Sequence, residues 1–215
     1  MVIQAQDPGA AGNNIQVVFS NIQVVDPHDS SKITFDATIT ETDTYNGLNL
    51  NPASPSFIQT VLGKQGTNKG SQPGLVSIKD ISVNPPLPLA TKTYPLANGG
   101  ATPSFVPIDG DPAGTAFIVE AKKASPEGDN TTVIISDVDK DKKTFTLVAK
   151  WTKSIPGIHL AELPNKLDGG PPQYEIKVSI PNGGAFAIPA PSSVGLSGGA
   201  DAKSESTASG TVLAS

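Results

Sequence analysis

Thr34-Phe35-Asp36-Ala37-Thr38-Ile39-Thr40 alternates apolar and polar side chains, and Phe145-Thr146-Leu147-Val148-Ala149-Lys150-Trp151 keeps the same beat. A period of two is the signature of a β-strand with one face on a core and the other on solvent. Phe35 and Phe145 therefore read as core anchors. Trp151 shares the parity of Phe145, Leu147 and Ala149 and reads as a third anchor rather than a stacking platform for sugars. Further short segments rich in Val, Ile, Thr and Phe occur at 15–19, 57–62, 75–83, 116–122, 131–136, 174–180 and 184–188. Between them stand turn formers such as Asp26-Pro27, Asn84-Pro85-Pro86 and Asn98-Gly99-Gly100, where proline removes a ladder donor and glycine permits positive φ. With 21 glycines and 20 prolines in 215 residues, long helices are excluded. Helical periodicity surfaces only around 52–62 and 157–165, each enough for a turn or a short helix. The predicted fold class is all-β, sandwich-like or barrel-like, with little helix.

The chain also repeats itself. Ala5, then Gly12-Asn13-Asn14-Ile15-Gln16-Val17-Val18-Phe19-Ser20, aligns with Ala121, then Gly128-Asp129-Asn130-Thr131-Thr132-Val133-Ile134-Ile135-Ser136, at a constant offset of 116 residues. Phe35 and Phe145 follow in matching strands, and Leu48 and Leu50 before Asn51-Pro52 correspond to Leu160 and Leu163 before Pro164-Asn165. Self-similarity sets architecture ahead of any single motif. It predicts two tandem β units, 1–100 and 114–195, joined by a Gly/Pro-rich linker at 101–113 and followed by a flexible tail at 196–215. Gly12, Asn13, Asn14, Gly128, Asp129 and Asn130 form the repeated turn motif. Its residue types supply positive φ and side-chain hydrogen bonds to the backbone, and no phosphate-loop Lys-Ser/Thr follows.

Composition narrows function. All 15 cations are lysine, the net charge is −5, and arginine, the residue best suited to phosphate and guanine recognition, is absent; nucleic acid is not an expected partner. Cysteine is also absent, so disulfides, thiolate catalysis and thiolate-bound zinc are excluded. The N-terminus lacks the basic and apolar regions of a signal peptide, and no run approaches the roughly 18 apolar residues of a membrane helix. His28 lies in a polar turn and His159 follows Ile155-Pro156-Gly157-Ile158; neither has a nucleophile context such as Gly-x-Ser-x-Gly. Asp137, Asp139 and Asp141 are spaced like calcium ligands but lack the turn glycine and the closing Glu, and three lysines are interleaved among and after them. They read as a charged hairpin turn, and Asp109-Gly110-Asp111 reads as linker. No cofactor and no enzymatic activity are expected.

The segment from Ala5 to Val17, Ala5-Gln6-Asp7-Pro8-Gly9-Ala10-Ala11-Gly12-Asn13-Asn14-Ile15-Gln16-Val17, followed by a Phe-bearing strand and then Asn51-Pro52-Ala53-Ser54-Pro55-Ser56-Phe57-Ile58, resembles contractile tail sheath proteins. There an Ala-x-x-Pro-Gly-x-Trp-Gly-Asn-x-Ile segment opens a β-rich region; Ala11 stands here in place of the Trp. Ala121-Lys122-Lys123-Ala124-Ser125-Pro126-Glu127-Gly128-Asp129-Asn130 is a looser second version, and Val194-Gly195-Leu196-Ser197-Gly198-Gly199-Ala200-Asp201 is similar to the Leu-x-Gly-Gly-x-Asp segment where the family's β region gives way to an α/β region. The resemblance implies a non-catalytic structural module of a phage tail or phage-tail-like injection machine. Its implied partners are other sheath subunits in a self-assembling homo-oligomer, and the inner tube through regions with no counterpart here. The implied location is a virion tail or a tail-like particle assembled in the cytoplasm. Composition and strand spacing fit a second reading equally well, an Ig-like extracellular binding or adhesion module.

Overall fold

The computed structural model describes residues 1–5, 14–63, 74–122, 124–163, 165–167, 176–180, 186, 188–197 and 209–212. These residues are mostly β, as the alternation requires. In chain order the strands are β1 (Val2–Ala5), β2 (Ile15–Val24), β3 (Ile33–Asn49), β4 (Val76–Ile81), β5 (Leu87–Pro88), β6 (Lys92–Pro95), β7 (Phe105–Asp111), β8 (Gly114–Ala121), β9 (Thr131–Asp139), β10 (Thr144–His159), β11 (Ile176–Ser179), β12 (Ser192–Gly195) and β13 (Ser209–Thr211). Among the described residues one α-helix, α1 (Ile58–Leu62), lies between β3 and β4. It occupies the segment that reads as either strand or short helix in sequence; its Ile58 and Leu62 are buried one turn apart, so the helical reading holds. The weak helical signal at 157–165 becomes a single 3-10 turn, Leu160–Glu162. Most of the 184–188 candidate lies outside the described residues.

Strands β3 and β10 are the longest, and both outrun the segments, 32–41 and 144–152, over which the alternation predicts strands. Ile33, Phe35, Ala37, Ile39, Glu41, Asp43 and Tyr45 are all buried, every second residue, with no glycine, proline or asparagine before Asn46-Gly47. An uninterrupted period-two run gives the chain no place to reverse, so β3 continues straight past Glu41. In β10 the first such residues are Pro156 and Gly157. The two glycines sit at φ +64 and +63, a backbone region that other residues adopt at a cost.

The chain divides into two compact units, Met1–Glu41 with Thr152–Ser215, and Thr42–Trp151. In unit 1 the strand orders are β12-β2-β3-β10 and β11-β1-β13. Its core holds Ile3, Val17, Phe19, Ile33, Phe35, Ile158 and Ile176, with Phe19 and Phe35 edge to face at 5.6 Å. Between β3 and β10, the Gly157 N–H donates to Asp36 Oδ1 at 2.8 Å. In unit 2 the orders are β3-β10-β9-β6 and β4-β8-β7-β5. Its core holds Leu62, Val76, Ile78, Phe117, Val119, Val133, Phe145, Leu147 and Trp151, and Phe117 stacks on Phe145 at 5.7 Å. Each such side chain contributes on the order of 2 kcal/mol on burial.

The repeat is visible in the ladders. Val17 pairs with Ile39 and Val133 with Ala149; Val194 pairs with Val17 and Tyr94 with Val133; Ala5 faces Ile176 and Ala121 faces Val76; Gln4 faces Ser209 and Glu120 faces Phe105. Both hairpins shift register at the same place, where Asn21 and Asp137 take φ +52 and +51. Leu196 N–H donates to Ile15 O, and Leu96 N–H to Thr131 O, each at 2.9 Å. The units, however, are not the tandem halves expected from the repeat. Unit 1 takes β1, β2 and the start of β3 from the first copy and the end of β10, β11, β12 and β13 from the second; unit 2 takes the complementary halves. The physical reason is the one already given, two long strands without a turn at the point where each copy would have to fold back on itself.

Two further expectations are corrected. Residues 105–111 within the predicted linker form β7, paired with β8 through the Pro112-Ala113 turn; Pro107 and Gly110 disguised it as linker. Within the predicted tail, residues 209–211 form β13 on β1, and Val212 N–H donates to Met1 O at 3.0 Å. Ser209-Gly210-Thr211 has no apolar side chain to betray a strand, and Gly210 is required because a Cβ there would meet Val194 Cγ1.

Candidate functional site

Of the repeated turn motif, Gly12 and Asn13 lie outside the described residues, and Asn14 is exposed at the entry to β2. Its counterpart closes a 3-10 turn, Pro126–Asn130, capped by Ser125 Oγ, which accepts from Glu127 N–H at 3.1 Å. Asp129 Oδ1 accepts from Gly99 N–H at 2.8 Å, the side-chain-to-backbone bond expected of the motif, and Asn130 Nδ2 donates to Glu127 Oε2 at 2.8 Å. Positive φ is not used at Gly128, Asp129 or Asn130. Glycine is needed at 128 for space: a Cβ would lie 2.5 Å from Ser104 Oγ and 3.1 Å from Ala121 Cβ. Gly128→Ala is therefore expected to destabilise by about 1–3 kcal/mol through overpacking. Thermal unfolding checks this, and an unchanged midpoint would refute it.

Trp151 is fully buried, and its indole N–H donates to Glu127 O at 3.0 Å, tying β10 to the same turn. Phe35 and Phe145 are each 1% exposed. All three anchors lie where the alternation puts them.

The titratable groups singled out in the sequence are spread over the fold. His28 is exposed in its turn, its N–H bonded to Asp26 Oδ1 at 2.9 Å. His159 Nδ1 lies 2.9 Å from Ser31 O, and its backbone N–H donates to Glu162 Oε2 at 3.0 Å. Asp139 Oδ1 accepts from the N–H groups of Asp141 and Lys142 at 3.0 and 2.9 Å, closing the β9–β10 turn. Those bonds, the Lys142 backbone N–H foremost, hold its carboxyl below the usual carboxylate range. Asp109 pairs with Lys92, and Asp111 with Lys140 at 2.9 Å; both pairs are exposed and add little to stability. Among the described residues no three His, Cys, Asp or Glu side chains gather as a metal would require.

The buried acid Glu120 is a site that the strand reading passed over. It sits in Phe117-Ile118-Val119-Glu120-Ala121, where one Glu interrupts an apolar run, and that interruption is the signal for it. Register sets it between Ser77 on β4 and Phe105 on β7. It is 2% exposed, and Ser77 Oγ donates to its Oε1 at 3.4 Å. Oε2 has no hydrogen-bond partner among the described residues. Lys79 Nζ lies 3.9 Å from the Phe105 ring centre, a cation–π contact on the neighbouring strands. Burial pushes the Glu120 carboxyl upward, against the opposing pull of Lys79 and the Ser77 hydrogen bond. A raised folded-state pKa means that the folded chain holds its proton more tightly than the unfolded chain. Stability then falls as pH rises from the ordinary glutamate range through the raised value. Glu120→Gln removes that loss, so it is expected to stabilise at pH 7 by on the order of 1 kcal/mol and to change little at pH 4. Urea unfolding at both pH values measures it; an equal effect at both would reject the assignment. Chemically the arrangement is a polar pin in a sheet, a carboxylate and a hydroxyl with neither histidine beside them.

Comparison with protein-family models, curated proteins and solved structures gave no match.

Proposed function

We propose that the chain is a non-catalytic, load-bearing structural module, the β-rich part of a contractile tail sheath subunit that works in an assembly of identical subunits. The observation that supports this reading best is the interleaving of the two copies. A tandem protein joins its units by one linker, whereas here the chain passes between the units in β3 at Glu41–Thr42 and again in β10 at Trp151–Thr152. Each crossing is the middle of a long hydrogen-bonded strand rather than a free tether. Pulling along such strands loads many ladder bonds together in shear, which suits a part that transmits force.

The resemblance adds to this. Asn51–Ile58, one of the segments that carry it, folds as chained turns: Asn49 Oδ1 accepts from Asn51 N–H at 2.6 Å, Asn51 Oδ1 from Ala53 N–H at 3.0 Å, and the run leads into α1. The test is the intact mass of the native product carrying this sequence, together with electron microscopy of the fraction that contains it. A product well above 22.0 kDa in rod-shaped particles is the expected result. A free 22.0 kDa monomer without particles would overturn it in favour of the adhesion-module reading.

A further inference from the structure

We infer that the chain associates with a second copy of itself by exchanging repeats, the first copy in one chain closing with the second copy in the other. This inference rests on the ladders and does not depend on the sheath reading.

Neither copy makes a unit alone. The start of the first copy (β1, β2, the first part of β3) needs the end of the second (the last part of β10, β11, β12, β13), and the start of the second needs the end of the first. The surfaces that recognise each other are therefore whole exchanged halves, with core side chains on both sides: Ile3 against Val178 and Ala5 against Ile176 in unit 1, Ile78 against Val119 in unit 2. Nothing in these ladders distinguishes a partner half in the same chain from the identical half in another. Exchange of identical elements is a low-cost route to association because the contacts formed are those already present in the monomer.

What favours closure within one chain is the tether between the copies, the Pro112-Ala113 turn between β7 and β8. Opening it loses the effective concentration of a short connection, roughly millimolar, so exchange between chains gains ground as chain concentration nears that value or where subunits are held side by side. Two chains can close reciprocally into a dimer. If a third chain takes the free copy instead, the contact is head to tail and the series stays open.

Two full-length variants test this. Phe19→Asp places a charge at a fully buried position of the first copy in unit 1, and Ile176→Asp does the same in the second copy. Neither variant can build unit 1 alone or with its own kind. In a mixture, the intact first copy of the Ile176→Asp chain and the intact second copy of the Phe19→Asp chain make one complete pair. Refolding the two together at high concentration is expected to give a heterodimer of about twice 22.0 kDa, with amide protection restored on β1, β2 and β11. No heterodimer, or one without that protection, would overturn the proposal. Should either charge prevent the whole chain from folding, isotope-labelled and unlabelled natural chains refolded together give the reading. Dimers of mixed mass that increase with concentration support exchange, and monomers at every concentration reject it.

Discussion

Cutting the chain in the Pro112-Ala113 turn, through a protease site inserted there, is expected to leave both fragments bound to each other. A tandem pair of independent units would fall apart at that cut. Here each unit contains strands from both sides of it, so the fragments should co-elute at the mass of the intact chain, 22.0 kDa, with both units folded. The cut nevertheless has a large thermodynamic effect, because folding becomes bimolecular. Replacing an effective concentration of roughly millimolar by a micromolar one costs about 4 kcal/mol. The melting temperature of the cut protein should accordingly rise with its concentration, while that of the uncut chain stays fixed. Size exclusion coupled to light scattering, followed by melts across a dilution series, measures both. Separation of the fragments under native conditions would refute the interleaved arrangement.

The second large effect is expected at Trp151. Trp151→Ala empties the biggest fully buried side chain among the described residues and removes the hydrogen bond to Glu127 O. The expected loss is about 3–5 kcal/mol. Trp151→Phe keeps most of the volume and removes only the hydrogen bond to Glu127 O, for a loss nearer 1 kcal/mol. Urea unfolding of the three proteins separates packing from hydrogen bonding, with circular dichroism as the probe since the chain has no other tryptophan. Equal losses for Ala and Phe would mean that the indole N–H, and not the ring, is what the turn at 126–130 depends on.

The fold class was legible in a few strands because alternation and burial are the same fact seen twice. Phe35, Phe145 and Trp151 were identifiable as anchors from parity alone, and all three are fully buried. The repeat was legible too, and the register shifts at Asn21 and Asp137 fall 116 residues apart, the offset read from the sequence. What the repeat could not convey was which half pairs with which. Two copies closed on themselves and two copies exchanging halves use the same residues in the same ladders, and they differ only in whether the chain turns or runs on after Glu41 and Trp151. The deciding signal is an absence of glycine, proline and asparagine from Ile33 to Tyr45, easily overlooked because it consists of ordinary strand residues. β7 and β13 were missed for a different reason: proline, glycine and serine hide a strand that its neighbour holds in place through backbone hydrogen bonds rather than through its own side chains. Among the candidate functional residues, Glu120 illustrates the remaining limit. Its oddity is readable in the sequence, but its surroundings are set by register with two strands distant in sequence, β4 and β7.

The order in which the ribosome releases the chain interacts with this topology in an unusual way. Unit 2 is drawn from one continuous stretch, Thr42–Trp151, and has all its strands once that stretch has emerged. Residues 1–41 emerge first, and although β2 and β3 can pair with each other at once, the remaining neighbours of β1 and β2, which are β11, β12 and β13, are among the last to be made. Throughout that interval the apolar face of β2, with Ile15, Val17 and Phe19, lacks its β12 neighbour, and β1 lacks both of its own. The usual rule that N-terminal structure folds first is inverted here. Where many chains are made close together, the unit that closes last is also the one whose missing half a neighbouring nascent chain can supply.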